Sequence, residues 1–491
     1  MSFSGFAQKQ PNIIVFMVDD MGWQDCSVPF WKEKTPINKK FHTPAMERMA
    51  AEGMKFTHAY ATPVCTPTRI SLLTGMNAAH HHVTSWTSPT KDNPTDAPDK
   101  QLGIADWNYN GLNPDAGMPH TIQATSFVQL LKDAGYFTVH IGKAHWGPNG
   151  SPGSSPYNLG FMVNIAGSAT GHPQSFLGTE NYGNIPNKAG IHAVPNLQQY
   201  YGTDTFLTEA LTLEALKSIK EPIEQKRPFF LYLSHYAVHQ PITADKRFYQ
   251  KYIDAGLDPL EARYASMIEG MDKSLGDVMD FLQKEKVDKN TIIIFMSDNG
   301  GLSNPGTRGG QAYTHNLPLK AGKGSVHEGG IREPMLVKWP KHVKPGSVAN
   351  QYVIIEDFFP TILEAAKVKN YNTLQKIDGQ SFLPVLKNAT YTNNNRYLIW
   401  HMPNKWIGTD TLGINYSSAI RQGDWKMVYS IRTGKKELYN LTNDIGENND
   451  VAKQYPDKLN DLSTKLYTQL KEWQSPMPID KSTGKPVPYY Q

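Results

Sequence analysis

Short apolar runs rich in β-branched and aromatic residues recur along the chain, at Ile13–Val18, Phe137–Ile141, Phe229–Leu233 and Ile292–Met296. Runs of this length predict strands covered on both faces, as in a mainly parallel sheet. Helical periodicity fills the intervals. Ser126–Ala134 precedes the second run, with Gly135 placed as a C-cap. Thr208–Lys220 precedes the third, and Leu260–Glu285 precedes the fourth. Strand and helix in alternation predict an α/β fold, its sheet sandwiched by helices.

Two long stretches break this rhythm. Asn77–Asp115 is rich in Pro, Asn and Thr, and Gly147–Gln199 is rich in Gly, Asn and Pro. Irregular insertions of this size in a compact domain usually carry function, and they are expected to wall a cleft. Composition shifts again at Asn388–Asn395. Beyond it, Tyr397–Trp400, Ala419–Arg421, Trp425–Tyr429 and Glu437–Tyr439 read as strands of a small antiparallel sheet, and Tyr455–Trp473 as an amphipathic helix. The expected division is therefore a large α/β domain at 1–390 and a C-terminal α+β subdomain at 391–491.

Composition narrows the function class. At 491 residues, 39% hydrophobic and 19% charged, the chain is a globular protein large enough for two cores. No apolar run is long enough to span a bilayer as a helix. The formal net charge of +4 is not the clustered basic footprint of a nucleic-acid binder. Two cysteines, Cys26 and Cys65, exclude a disulfide framework, though parity allows one bridge between them. Met1–Gln8 ends in small and polar residues, like the tail of a cleaved secretory leader. Asn388, Asn415 and Asn440 head glycosylation-type triplets.

In open α/β sheets, ligands bind beyond the carboxyl ends of the strands. The residues following each apolar run are Asp19 and Asp20; Lys143 and His145; His235 and His239; and Asp298 and Asn299. Asp19, Asp20, Asp298 and Asn299 form an all-oxygen donor set, which suits a hard divalent cation such as Ca2+, with Mg2+ the alternative, and disfavours zinc. The lysine and imidazoles suit an oxyanion.

Cys65-Thr66-Pro67-Thr68-Arg69 reads C-x-P-x-R. Asp19-Asp20, this pentapeptide, Gly142-Lys143-x-His145, His239-x-Pro241, Asp298-Asn299-Gly300, Gly322-Lys323-Gly324 and Glu328-Gly-Gly-Ile-Arg-Glu-Pro334 follow in one order. That ordered set, from Pro11 to about Trp473, resembles the type I, formylglycine-dependent sulfatases of the alkaline-phosphatase superfamily. The Tyr60–Trp86 segment is similar to carbohydrate sulfatases of glycan-degrading bacteria.

The resemblance implies an alkaline-phosphatase-like fold, with a large mixed, mainly parallel sheet and a small C-terminal antiparallel sheet. It implies that a maturation enzyme oxidises Cys65 to formylglycine, whose hydrate attacks the sulfur of a carbohydrate sulfate ester. Asp19, Asp20, Asp298 and Asn299 would bind calcium. Asp298 would also take a proton from the hydrate, and Arg69 and Lys143 would hold it. Lys323 would grip the sulfate, His239 would protonate the leaving sugar oxygen, and His145 would deprotonate the remaining hydroxyl so that sulfate departs. A geminal diol keeps a second hydroxyl after the first is sulfated; a serine or a thiol has no such exit. A periplasmic or secreted location is expected, with exo action on sulfated galactose or N-acetylgalactosamine.

A phosphonate or phosphate monoester hydrolase, a non-catalytic glycan-binding relative and a Cys–His hydrolase stay open as alternatives. His80, His81, His82, His235 and His327 are further candidates for the pocket. Trp86 and Trp146 are the tryptophans best placed to stack on a sugar, and Cys26 has no assigned role.

Overall fold

A computed structural model of the chain describes residues 10–115, 117–185, 190–302, 314–406 and 412–489. The Met1–Gln8 segment lies outside them. The predicted strands form where expected: β1 (Asn12–Val18), β3 (Phe137–Gly142), β5 (Phe229–Ser234) and β6 (Thr291–Ser297). Between them stand α3 (Phe127–Asp133), α4 (Leu207–Glu224) and α5 (Pro259–Lys284). The α3 helix begins where Ser126 accepts the Val128 N–H, and α5 where Asp258 accepts two backbone N–H groups.

The sheet has nine strands among the described residues, and the sequence patterns had disclosed only four. The others are β2 (Met54–Tyr60), β4 (Val163–Ile165), β7 (Arg332–Lys338), β8 (Ser347–Ala349) and β9 (Val353–Ile354). The order is β8-β2-β7-β6-β1-β5-β3-β4, with β9 also on β2. All neighbours run parallel except β7, which is antiparallel to both β6 and β2. Pro334 lies inside β7, where the pairing with β2 slips register between Glu333 and Met335, so the missing N–H coincides with a bulge.

β1 is buried on both faces. Ile13, Val15 and Met17 enter one core, and Ile14, Phe16 and Val18 the other. The first core holds α2 (Cys65–Thr74) and α3, and the second holds α4 and α5. A second sheet, β10 (Tyr397–Met402) to β13 (Lys436–Asn440), contains β11 (Ser417–Gln422) and β12 (Trp425–Ser430) as consecutive antiparallel neighbours. Trp400, Ala419 and Val428 join the main core, whereas Ile399, Ile420 and Met427 pack on α6 (Pro456–Glu472) with Leu462 and Leu466.

Ions reinforce that seam. Lys426 meets Glu328 at 2.9 Å and Glu447 at 3.0 Å, and Glu447 also takes the His327 Nδ1 contact at 2.9 Å. Burial opposes ionisation of Glu447, but His327 and Lys426 outweigh it and hold the carboxyl down at about 2.

Candidate active site

The register of the central strands delivers the site. Met17 pairs with Ser234, Val18 with Ser297, and Gly142 with Ser234, so four strands end at one level. Backbone hydrogen bonds continue past the ends: Asp19 N–H donates to Ala237 O, Asp298 N–H to Val18 O, and Lys143 N–H to Ser234 O. Gly142 sits at φ +99°, and a Cβ there would lie 1.9 Å from Ser234 O. Only glycine lets β3 leave the sheet so close to β5.

Asp19, Asp20 and Asp298 are buried together with Arg69, Lys143 and Lys323. Lys143 Nζ donates to Asp19 Oδ2 at 2.7 Å, and Lys323 Nζ to both Asp20 oxygens at 2.6 and 2.9 Å. Arg69 gives Nε and Nη2 to Asp298 Oδ2 at 3.1 and 2.7 Å. Its Nη1 reaches Lys143 O, Tyr232 Oη and Ser234 Oγ. Asn299 Nδ2 donates to Asp20 Oδ1 at 2.8 Å, and His239 Nε2 lies 3.5 Å from Asp20 Oδ2.

Cys65 is the first residue of α2, which leads out of β2. Its Sγ lies 3.5 Å from His145 Nδ1, and His145 Nε2 is 2.8 Å from Thr87 O. A cavity of about 360 Å3 joins Cys65, His145, His239 and Lys323. The fold thus gathers all ten residues read from the sequence: Asp19, Asp20, Cys65, Arg69, Lys143, His145, His239, Asp298, Asn299 and Lys323.

The residues present fit a cation. Asp19 Oδ1 and Asn299 Oδ1 are buried acceptors with no hydrogen-bond donor among the described residues. Burial, then the Asp298 charge, pushes the Asp19 carboxyl well above its ordinary range despite Lys143. That is the signature of a site still short of positive charge. Asp19, Asp20 and His239 offer ligand atoms within 4.8 Å of one another. Asp298 stands to the side, its Oδ1 accepting the Asp20 N–H and its Oδ2 held by Arg69.

Cys65 as a thiol is a poor nucleophile. Burial pushes it above its ordinary value, and the lysines only partly compensate. Burial, then Lys143, pushes His145 well below its ordinary range. A neutral thiol beside a neutral imidazole is not a thiolate–imidazolium pair, which weighs against a Cys–His hydrolase. Both cysteines are free; Cys26 donates to Val28 O at 3.2 Å in the core.

Both long insertions wall the cavity, the first with Trp86, Ser88 and Pro89, the second with Gly171, His172, Ile191 and His192. The His172 and His192 rings stack at 3.8 Å, and His172 stacks on His239 at 5.5 Å. Neither histidine was singled out from the sequence, because an isolated imidazole in a loop carries no periodic signal. Glu333 was also missed as a separate group. It is buried with neither carboxyl oxygen hydrogen-bonded among the described residues, and burial followed by Asp298 and Asp20 pushes it well above its ordinary range.

Other expectations are corrected. Trp146 does not face the cavity; it is fully buried and donates Nε1 to Arg69 O at 3.1 Å. His80 pairs with Asp378 at 2.8 Å, His81 Nε2 with Ser71 Oγ at 3.0 Å, and His82 Nε2 with Trp473 O at 2.9 Å. His235 Nε2 meets Ser274 Oγ at 2.9 Å, and His327 belongs to the Glu447 network. None of these five lines the cavity.

The sulfatase family model matches residues 11–368 of the chain. The chain belongs to the sulfatase family.

A second model, "N-sulphoglucosamine sulphohydrolase, C-terminal", matches residues 322–476 of this sulfatase. It is 29% identical to a sulfatase of Formosa agariphila, over 98% of this chain and 93% of that one. It is 32% identical to the N-acetylgalactosamine-6-sulfatase of Homo sapiens, over 79% of this chain and 67% of that one. The crystal structure of Ps i-CgsB in complex with k-i-k-neocarrahexaose superposes with a TM-score of 0.72 at 27% identity, covering 94% of this chain and 93% of that one. The sulfatase is therefore a sulfuric ester hydrolase with the alkaline-phosphatase-like fold. Membership implies a formylglycine and a metal ion in the working enzyme. No described helix is long and apolar enough to cross a membrane.

One prediction concerns acid stability. Burial pushes the His235 imidazole down to about 3, so it folds neutral. A histidine with a depressed folded value contributes stability that is intact above its unfolded pKa and is lost as pH falls below it. Between pH 7 and pH 5, below an unfolded value of about 6.5, this costs the sulfatase ~2 kcal/mol. His235→Gln should lose less stability than the parent over that interval, by about this amount. Parallel unfolding curves at the two pH values check it; an identical pH dependence in both proteins contradicts it.

Proposed function

We propose that this sulfatase removes O-sulfate from a saccharide, with residue 65 working as formylglycine rather than cysteine. The observation that carries the reading is the placement of Cys65 at a helix start, in one cavity with Lys323, His239 and His145, above the buried carboxylates. A formylglycine, once made by a maturation enzyme, supplies a hydrated aldehyde as nucleophile.

The remaining roles follow from position. Arg69 and Lys143 hold the negative charge of Asp298 and Asp19 in place beside residue 65. Lys323 Nζ, facing the cavity, binds a sulfate oxygen. His239 donates a proton to the leaving sugar oxygen, and His145, in contact with residue 65, accepts one from it. Asp298 takes the proton released as attack begins. Asp19, Asp20, Asp298 and Asn299 would hold Ca2+, with Mg2+ the alternative; the ion supplies charge neutralisation and Lewis acidity for the ester oxygens.

The substrate is read as a sulfated galactose or N-acetylgalactosamine at a chain end. The human relative's activity and the carrageenan oligosaccharide in the Ps i-CgsB structure support this class. A cavity of about 360 Å3 between the two insertions suits one or two sugar units. In the same reading, residues 1–390 carry catalysis, residues 391–491 form a flanking subdomain, and the enzyme works in the periplasm or outside the cell.

The test is sulfate release from defined sulfated mono- and disaccharides beside matching phosphate esters, before and after chelation. The expected result is turnover of a galactose-type sulfate, loss with chelator and recovery with Ca2+. A strong preference for phosphate overturns the reading. Calcium at a hundredfold excess over its Kd should also stabilise the fold by about 2.7 kcal/mol. An unchanged melting temperature on calcium addition removes the ion from the scheme.

A further inference from the structure

A second cavity is larger than the catalytic one. A groove of about 1130 Å3 runs along the seam between the main sheet and the C-terminal sheet, and it shares no lining residue with the catalytic cavity. Its floor is the face of β2 that carries Lys55 and Thr57, together with Arg332 of β7 and Arg421 of β11. Its far wall is the turn from Gly423 to Trp425 and the α6 face bearing Lys458, Asp461 and Lys465. The catalytic Cys65 follows the carboxyl end of β2, whereas Lys55 lies near its amino end.

The charge of the groove is distinctive. Its lining holds six cationic side chains (Lys32, Lys55, Arg332, Arg421, Lys458 and Lys465) against two carboxylates, Asp424 and Asp461. That surplus of four equals the formal net charge of the entire chain. Local pairing absorbs only part of it: Lys32 faces Glu33 at 3.8 Å and Arg332 meets Glu328 at 3.2 Å. Asp461 serves both Lys458 and Lys465, and Lys55 Nζ meets only the Pro29 carbonyl among the described residues.

Arg332 and Arg421 are both buried. Arg332 uses Nε on Thr57 O and Nη1 on Glu328, and Arg421 uses Nε on Gly423 O and Nη1 on Tyr60 Oη. Each keeps its Nη2 without an acceptor among the described residues. Between them, burial and the two guanidinium charges push His58 well below its ordinary range, which marks the floor as electropositive.

The rest of the lining suits sugar. Half-buried Trp31 and Trp425 both line it, the latter 4.9 Å from the Tyr455 ring, and indoles are side chains of the kind that pack on pyranose rings. Amide side chains, among them Asn350, Asn395 and Gln422, add paired donors and acceptors for hydroxyls. A smooth polyanion site would need neither the two indoles nor the amides.

We propose that this groove is a second, non-catalytic site that binds an internal stretch of a sulfated polysaccharide. The ligand class rests on the carbohydrate reading above. Such a site would tether the polymer to the enzyme and raise the local concentration of chain ends at the catalytic cavity.

The test uses the full chain and its variants Trp425→Ala and Lys55→Gln. Neither residue touches the catalytic cavity, and Lys55→Gln guards against a folding defect in the tryptophan variant. Mobility is measured in native gels containing chondroitin sulfate, dextran sulfate or unsulfated dextran, and KM is measured for a sulfated polymer and for 4-nitrocatechol sulfate.

The expected result is retardation of the parent by both sulfated polymers and not by dextran. Each variant should lose affinity by about fivefold, the scale of one aromatic or ionic contact. KM for the polymer should rise in step, with hydrolysis of the small ester unchanged. Equal retardation of parent and variants, or equal retardation by dextran, overturns the proposal. Retardation needs no turnover, so an enzyme that binds the polymers but releases no sulfate would sink the catalytic reading and leave the groove standing.

Discussion

Replacing Cys65 by alanine should abolish sulfate ester hydrolysis, lowering kcat/KM by at least about 10^4-fold. The α2 helix buries Cys65 beside His145, and alanine fits the same space, so the melting temperature should stay close to the parent's. Serine is the more instructive change. Its hydroxyl can attack once but leaves no second hydroxyl to expel sulfate, so Cys65→Ser should release alcohol in one turnover and then stop. Mass spectrometry of the active parent should show residue 65 with a carbonyl oxygen in place of its thiol group. Full activity with residue 65 still a thiol, or with alanine there, would falsify the proposed chemistry.

Arg69→Met should be the most destabilising single change in the site. The guanidinium is fully buried and spends Nε and Nη2 on Asp298 while Nη1 reaches three oxygens across two strand ends. Methionine fills much of the volume and removes every donor, leaving the buried Asp298 carboxylate without its guanidinium partner. Breaking a buried pair from one side costs about 3–5 kcal/mol. Lysine should recover little of it, because a point charge cannot reach Asp298 and the β5 oxygens together. Urea unfolding followed by tryptophan fluorescence measures the loss. A decrease below about 1 kcal/mol would show that the carboxylates do not depend on Arg69.

The central architecture was legible because it obeys a local rule. A strand buried on both faces must be apolar along its middle, and β1, β5 and β6 are, with polar Asn12, Ser234, Thr291 and Ser297 only at their ends. Their carboxyl ends, and that of β3, could then be searched for polar residues, which located Asp19, Lys143, His239 and Asp298 before any coordinates. The remaining strands were not legible for the converse reason. β2 mixes Lys55, Thr57 and His58 with apolar residues because one face lines the groove, and β7 contains a proline at its bulge.

The same logic separates the histidines. His145 and His239 follow strand ends in the ordered motifs and reach the cavity. His80, His82 and His327 also lie in or near motifs, yet the C-terminal segment claims them through Trp473 and Glu447, while His81 turns back onto Ser71. Partners far away in sequence decide such cases, and no local pattern encodes them. His172 and His192 are the mirror image, brought to the cavity by loops whose path the sequence does not reveal.

Those long-range ties bear on how the protein can change over generations. Lys426 and Glu447, from the C-terminal sheet and the segment after it, clasp Glu328 and His327, just downstream of Lys323, which lines the catalytic cavity. The tail is thus a structural tenant of the loop that supplies Lys323, not a detachable appendage. Gene fusions can add modules to either terminus, but recombination that swaps residues beyond 390 between relatives should yield working offspring only when both halves of this ionic clasp descend from the same parent.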